Sequence, residues 1–314
     1  MMSMPFLNQQ IINNQGVFMD MQNCTLCPRL CAVDRTKRFG VCHASDKVDI
    51  ALVSLHQWEE PCLSGTNGAG TVFFSHCNMR CIFCQNHEIS TEGKGITVSI
   101  ERLAQIFLEQ QARKAHCLDL VTPTHYLPQI IEALDIAKKQ GLNIPVAYNT
   151  SGYERPEMLE QLRGYVDIFL PDFKYYFKET AQEYSRAPNY PEIVKKAIQT
   201  MYTIVGKPVF KDSIMQKGMI IRHLVLPWHY KESMEIVKYI WETYKDDVYL
   251  SLMNQYTPMY KALTHPKLKR KLTTFEYDKV VDFALDLGFK NCYIQQGKTA
   301  TTDFVPNFNG QNVK

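Results

Sequence analysis

The chain has little of what marks a membrane or secreted protein. No apolar run in its 314 residues approaches the roughly 18 residues of a membrane span. The opening stretch, Met1-Met2-Ser3-Met4-Pro5-Phe6-Leu7, has neither a basic segment nor a long apolar core, so it does not read as a secretory signal. A surplus of one charge is also missing. The 35 Lys and Arg against 32 Asp and Glu leave a net charge of +3, and the basic residues are scattered rather than gathered into a stripe, so nucleic acid is not indicated. There is no internal repeat, and no glycine-rich dinucleotide fingerprint follows a strand. The expectation is a cytoplasmic protein without a membrane partner.

Cysteine, by contrast, is plentiful. Eight of the ten cysteines fall between Cys24 and Cys84. In a reducing compartment such thiols serve better as metal ligands than as disulfides. They form two sets. Cys77, Cys81 and Cys84 have the spacing C-x3-C-x2-C, with Phe83 just before the third cysteine. Three thiolates can hold three irons of a [4Fe–4S] cube and leave the fourth open to chemistry. Cys24, Cys27, Cys31 and Cys42 form C-x2-C-x3-C-x10-C, a spacing that suits Zn²⁺ and equally an auxiliary iron–sulfur cluster. Soft thiolates accept either. Cys62 is a spare ligand or a functional thiol, whereas Cys117 and Cys292 sit in strand-like apolar runs and read as buried hydrophobes.

The remaining chain alternates between strands and helices. A strand is expected near residues 48–55. Beyond the glycines at 65, 68 and 70, strands are expected near 71–74, 118–122, 144–148, 166–170, 219–226 and 248–253, with a last short one at 292–294. Helices are expected from about 100, with Ser99 as N-cap, and over 126–140, 155–163, 191–204, 231–245 and 276–287. Gly141 supplies a stop for the second of these. The strands are near-continuously apolar, as parallel strands covered by helices should be. The predicted fold is α/β, a partial (β/α)6 TIM-like barrel with a small Cys-rich N-terminal extension. The boundaries are 1–65 for the extension, with a polar lead-in over 1–23, 66–300 for the core and 301–314 for a C-terminal tail.

Active sites of such barrels lie at the C-terminal strand ends. Polar residues there are the three cysteines, then Thr122, Thr124 and His125, then Asn149 and Thr150, then Asp172 and Lys174, with Arg222 in the fifth strand and Gln255 after the sixth. Each strand thus delivers polar groups to one rim.

The cysteine loop after the first barrel strand resembles that of the radical S-adenosylmethionine (SAM) superfamily. Trp58-Glu59-Glu60-Pro61, Cys84-Gln85-Asn86, Tyr148-Asn149-Thr150-Ser151-Gly152-Tyr153, Leu170-Pro171-Asp172-Phe173-Lys174-Tyr175 and Arg222-His223-Leu224-Val225-Leu226-Pro227 resemble the pyruvate formate-lyase activating enzyme-like branch. Within it the chain is most similar to PflX-type Fe–S proteins, over about residues 24–296. The resemblance implies a [4Fe–4S] cluster on Cys77, Cys81 and Cys84, with SAM chelating the open iron. Reductive cleavage then gives a 5′-deoxyadenosyl radical that abstracts hydrogen from a protein or peptide, as glycyl-radical activases do. It also implies a flavodoxin- or ferredoxin-type electron donor. Phe83 is expected near the adenine or over the cluster, and Asn86 beside the cluster loop. Thr122, Thr124, Asn149, Thr150, Asp172 and Gln255 are expected around SAM, and Lys174 or Arg222 at its carboxylate.

Two departures stand out. Asn149 replaces an acidic residue that in relatives helps hold a monovalent cation beside SAM. Val121-Thr122-Pro123-Thr124-His125 replaces a Gly-Gly-Glu stretch that receives the SAM amino group. His125 then becomes an acid–base candidate. The alternatives are radical modification of a small molecule, a ribosomal peptide or RNA, and a non-catalytic Fe–S or zinc protein.

Overall fold

A computed structural model describes residues 20–297 and 306–314. Residues 1–19 and 298–305, which take in most of the expected lead-in and the start of the expected tail, lie outside the described residues. The order of elements is β1 (Val48–His56), α1 (Pro61–Ser64), β2 (Ala69–Phe74), α2 (His87–Ser90), β3 (Ile96–Val98), α3 (Ile100–Ala112), β4 (Leu118–Val121), α4 (Leu127–Lys139), β5 (Val146–Thr150), α5 (Pro156–Leu159) and β6 (Ile168–Pro171). Next come α6 (Lys178–Ser185), α7 (Tyr190–Val205), β7 (Val209–Lys211), β8 (Ile214–Leu224), α8 (Tyr230–Tyr244), β9 (Tyr249–Met253), α9 (Thr274–Leu287) and β10 (Cys292–Ile294).

One sheet runs in the order β10-β9-β8-β6-β5-β4-β2-β1-β3. From β2 to β10 every neighbouring pair on this path is parallel, which is the expected partial TIM-like barrel. Strands β2, β4, β5 and β6 are buried at every position, because helices cover one face and the barrel interior the other. β1 and β3 add an antiparallel flank beyond β2. Among the described residues the end strands β3 and β10 are not paired with each other, so the sheet does not close into a full barrel.

Local chemistry sets the helix boundaries. The Ser99 side chain accepts from the Arg102 amide at the start of α3, as expected. At α9, Thr273 and Glu276 exchange bonds in a capping box. α4 ends at Lys139, and Gly141 takes φ 100°, a left-handed geometry that only glycine adopts without strain. The last residues are docked rather than loose. Gly310 and Gln311 pair with Ala51 and Val53 of β1, Phe308 sets its ring edge-on to Phe73 at 5.6 Å, and Arg102 donates to the Val313 carbonyl. Among the described residues no helix is long and apolar enough to cross a membrane.

Candidate active site

The C-terminal strand ends open onto one cleft of about 680 Å³, within the usual range for small-molecule sites. The loop after β2 supplies Cys77, Cys81, Cys84 and Asn86 to its wall. The loop turns sharply: His76 (φ 74°) and Arg80 (φ 51°) both take the left-handed region. Hydrogen bonds fix it on several sides. The Ile82 amide donates to the Tyr184 carbonyl, and the Ala262 amide donates to the Ile82 carbonyl. Asn78, fully buried, donates from its side chain to the Tyr153 carbonyl.

Donors point at the thiols. The Ser185 hydroxyl lies 3.0 Å from Cys81 Sγ, the Ser90 hydroxyl 3.2 Å from Cys84 Sγ and the Met79 amide 3.4 Å from Cys77 Sγ. Such donors stabilise thiolates, and in a cluster they tune its potential. Burial, helped by the neighbouring Cys81, pushes the Cys77 thiol up to about 12. Metal uptake therefore has to displace thiol protons. Phe83 closes the floor of this loop, edge-on to Tyr175, Tyr184 and Tyr256 at 6.2–6.4 Å.

An ion-pair network shares the cleft with the cysteines. Asp172 Oδ2 is 2.6 Å from Lys174 Nζ, and Asp172 Oδ1 is 3.0 Å from Arg222 Nε. Arg222 also reaches Glu59 Oε2 at 3.3 Å and donates to Asn149 Oδ1. Burial alone would raise the Asp172 carboxyl, but Lys174 and Arg222 outweigh it and hold Asp172 below the usual carboxylate range. Burial does win for Glu59, Glu60 and Asp119, whose carboxyls are pushed up. Arg222 is thus already shared among Asp172, Glu59 and Asn149. Lys174 has one carboxylate partner, and the Cys81 and Cys84 sulfurs help hold its proton. Of the two cations expected at a cofactor carboxylate, Lys174 is the one with donors to spare.

Thr122, Asn149, Thr150 and Gln255 line the cleft. Thr122 has φ 60°, a genuine outlier for a β-branched residue. Two expectations need correction. Thr124 does not line the cleft; its hydroxyl donates to Glu154 at 2.6 Å, and Thr150 donates to the same buried oxygen. Burial pushes the Glu154 carboxyl up to about 7, against the pull of those two hydroxyls. His125 does not reach the cleft either. The short turn after β4 carries it behind the sheet, where Nε2 donates to the Ser75 carbonyl at 2.8 Å and burial pushes it down to about 3. A neutral, buried histidine facing away from the cleft is not its acid–base group.

The first cysteine set lies elsewhere. Cys24, Cys27, Cys31 and Cys42 line a small cavity, with Arg35 and His125 also on its wall. Among the described residues no three His, Cys, Asp or Glu side chains are drawn together at metal-ligand spacing. Each cysteine set instead faces its own space.

Sequence reasoning gave no role to Glu59, Glu60, Ser151 or Gln295, all on the cleft wall. Glu59 and Glu60 arrive from the antiparallel β1 side, outside any list of parallel-strand ends. Their signal was two adjacent acids ahead of a proline.

A parallel, partial α/β barrel with three thiols and a polar rim at its mouth defines a class of cofactor-binding enzyme. The family model of the Radical SAM superfamily matches residues 71–215, and the chain belongs to that superfamily. It is 30% identical over 272 residues to the uncharacterized protein MJ0674 of Methanocaldococcus jannaschii, covering 84% of this chain and 74% of that protein. Among solved structures, Streptococcus suis SuiB bound to S-adenosylmethionine aligns at TM-score 0.49 with 13% identity, over 72% of this chain and 50% of that one. SuiB bound to precursor peptide SuiA aligns at 0.47 with 13% identity, over 70% and 46%. The chain spans about half the length of these structures. The superfamily uses a [4Fe–4S] cluster and SAM, and this is an enzyme of that kind. The donor set fits: three thiols on one wall of the cleft, two met by side-chain hydroxyls and one by a backbone amide.

Proposed function

We propose that Cys77, Cys81 and Cys84 hold the cluster and that the enzyme abstracts hydrogen from a protein or peptide. When bound, the cluster and SAM supply a reductive cleavage that yields a 5′-deoxyadenosyl radical. The observation carrying this reading is that the three thiols share one cleft with Asn149, Asp172, Lys174 and Arg222. Lys174 offers ammonium donors to a carboxylate beside Cys81 and Cys84. Thr122 and Asn149 offer acceptors for an ammonium group. Asp172 fixes both cations, and Phe83 with its tyrosine neighbours keeps water from the cluster side. A flavodoxin- or ferredoxin-type protein is the proposed electron source.

The peptide preference is supported by the gap between β10 and β3, which do not pair with each other among the described residues. A polypeptide loop could enter there without unfolding, as in an activase acting on a glycine of a partner enzyme. The test is isotopic. Reconstituted protein, SAM and reductant are mixed without oxygen with the deuterated macromolecular or the deuterated small-molecule fraction of a cell extract. Deuterium in 5′-deoxyadenosine from the protein-containing fraction, removed by prior proteolysis, is the expected result. Label arriving only from small molecules, or surviving proteolysis but not ribonuclease, replaces the peptide reading with one of the alternatives.

A further inference from the structure

We propose that Cys24, Cys27, Cys31 and Cys42 bind a single zinc ion, and that this ion braces the loop carrying Cys77, Cys81 and Cys84.

The four side chains come from one short, tightly turned segment and line a cavity of about 10 Å³; without an ion they are not drawn in to metal-ligand spacing. The cavity is space for one water-sized particle. A cube of four irons and four sulfides needs several times as much, whereas a four-thiolate zinc site needs only its centre. The backbone is shaped for close approach of the thiols. Cys24 pairs with Val33, the Ala32 amide returns to the Cys24 carbonyl and the Leu30 amide to the Cys27 carbonyl. Leu30, Ala32 and His43 all take positive φ. Gly40 lies against Cys31, where an added Cβ would stand 3.0 Å from Sγ, and the Val41 amide donates to the same sulfur at 3.4 Å.

A second observation is independent of the cysteines. His125, 1% exposed, also lines this cavity. Its Nε2 meets a carbonyl and must carry the proton, which leaves Nδ1 with a bare lone pair. Among the described residues that nitrogen has no hydrogen-bond partner. An unsatisfied buried acceptor is costly, and it marks the wall of this cavity as one built for a polar or charged occupant rather than for apolar packing. Arg35, 2% exposed, adds a fixed positive charge 3.9 Å from Cys24 Sγ, on the side of a thiolate group that would carry surplus negative charge.

The brace follows from Arg29, inside the Cys27–Cys31 turn. Its Nε donates to the Asn78 carbonyl at 2.9 Å, between Cys77 and Cys81. Its Nη2 donates to the Ser185 carbonyl at 2.8 Å, and Ser185 in turn donates to Cys81 Sγ. His125 grips the other end of the loop through the Ser75 carbonyl. An ion that fixes the turn fixes Arg29, which acts as a positioning residue for the cluster loop.

The test uses the full chain and does not depend on SAM chemistry, so it can fail while the proposed reaction stands, and the reverse. Wild-type protein should hold about four irons and one zinc per chain, against about eight irons if the first set holds a second cube. The Cys77→Ala/Cys81→Ala/Cys84→Ala variant should keep one zinc and no iron. Iron and sulfide retained there, or no zinc in either protein, overturns the zinc assignment. Arg29→Ala leaves every thiol in place. It should keep its zinc yet show an altered electron paramagnetic resonance spectrum of the reduced cluster and faster iron loss to a chelator. An unchanged spectrum and unchanged iron loss overturn the brace.

Discussion

Cys77, Cys81 and Cys84 face a cleft of about 680 Å³, while Cys24, Cys27, Cys31 and Cys42 face a cavity of about 10 Å³. Both sets contain buried thiols pushed up to about 12, chiefly by burial, in Cys77 and Cys27. Ligand chemistry alone does not separate them. Their surroundings do. The first set shares its space with charged residues from several strand ends, so anything bound there can be reached by a second molecule. The second is walled by its own segment, Arg35 and His125, and leaves no room for a second molecule beside a bound ion. An open site suits reaction and a closed site suits structure.

The largest expected effect comes from deleting one set at a time. Alanine at Cys77, Cys81 or Cys84 should take SAM cleavage to background and remove about four irons. Cys24→Ser/Cys27→Ser should leave those irons detectable. If iron and cleavage instead track the first set, the roles are reversed.

Next is Arg222→Met, which leaves Asp172 and Glu59 facing each other without their shared cation. Removing one partner of such a buried pair costs about 3–5 kcal/mol, read as a loss of denaturation free energy, and SAM affinity should fall with it. A loss under about 1 kcal/mol would mean the pair behaves as a surface salt bridge.

The Glu154 carboxyl gives a pH signature confined to the wall between the two regions. Its folded pKa, raised by burial to about 7 from the ordinary carboxyl value of 4.5, means the folded state binds a proton that the unfolded state has released between those values. Stability should therefore fall as pH rises from about 4.5 to 7, by at most about 3 kcal/mol. Glu154→Gln should flatten that part of the profile. An unchanged slope would show that Glu154 is ionised when folded.

Thr122→Gly carries the smallest expected change. It removes about 1–2 kcal/mol of left-handed strain and adds about 0.5–1 kcal/mol of backbone entropy cost, so the net should be a stabilisation of at most about 1.5 kcal/mol, read by denaturation. Destabilisation would show that the Thr122 side chain makes a contact worth more than its strain.

Much of this was legible because parallel strands write themselves as apolar runs. Val72, Phe73 and Phe74, or Ile168, Phe169 and Leu170, are buried on both faces, so no alternation confuses the pattern. The less legible parts are those without an apolar signature. β7 is exposed at all three positions, and its turn into β8 places Asp212 and Ser213 at positive φ without the glycine that usually announces such a hairpin. β3 alternates between half-buried and exposed over three residues. At the site, sequence position put Thr124 and His125 after a strand but could not tell which side of the sheet the next turn would take. Nor could it show that Arg222 is engaged by Glu59, which precedes it by 163 residues. The partner of a buried charge is a tertiary fact.

The central claim is that the open cysteine set does chemistry. Its most direct test is 5′-deoxyadenosine release from reconstituted protein given SAM and dithionite without oxygen. The nucleoside should accumulate in wild-type protein and be absent when Cys77, Cys81 and Cys84 are alanine. SAM left uncleaved by wild-type protein whose cluster absorbance is intact would contradict the account.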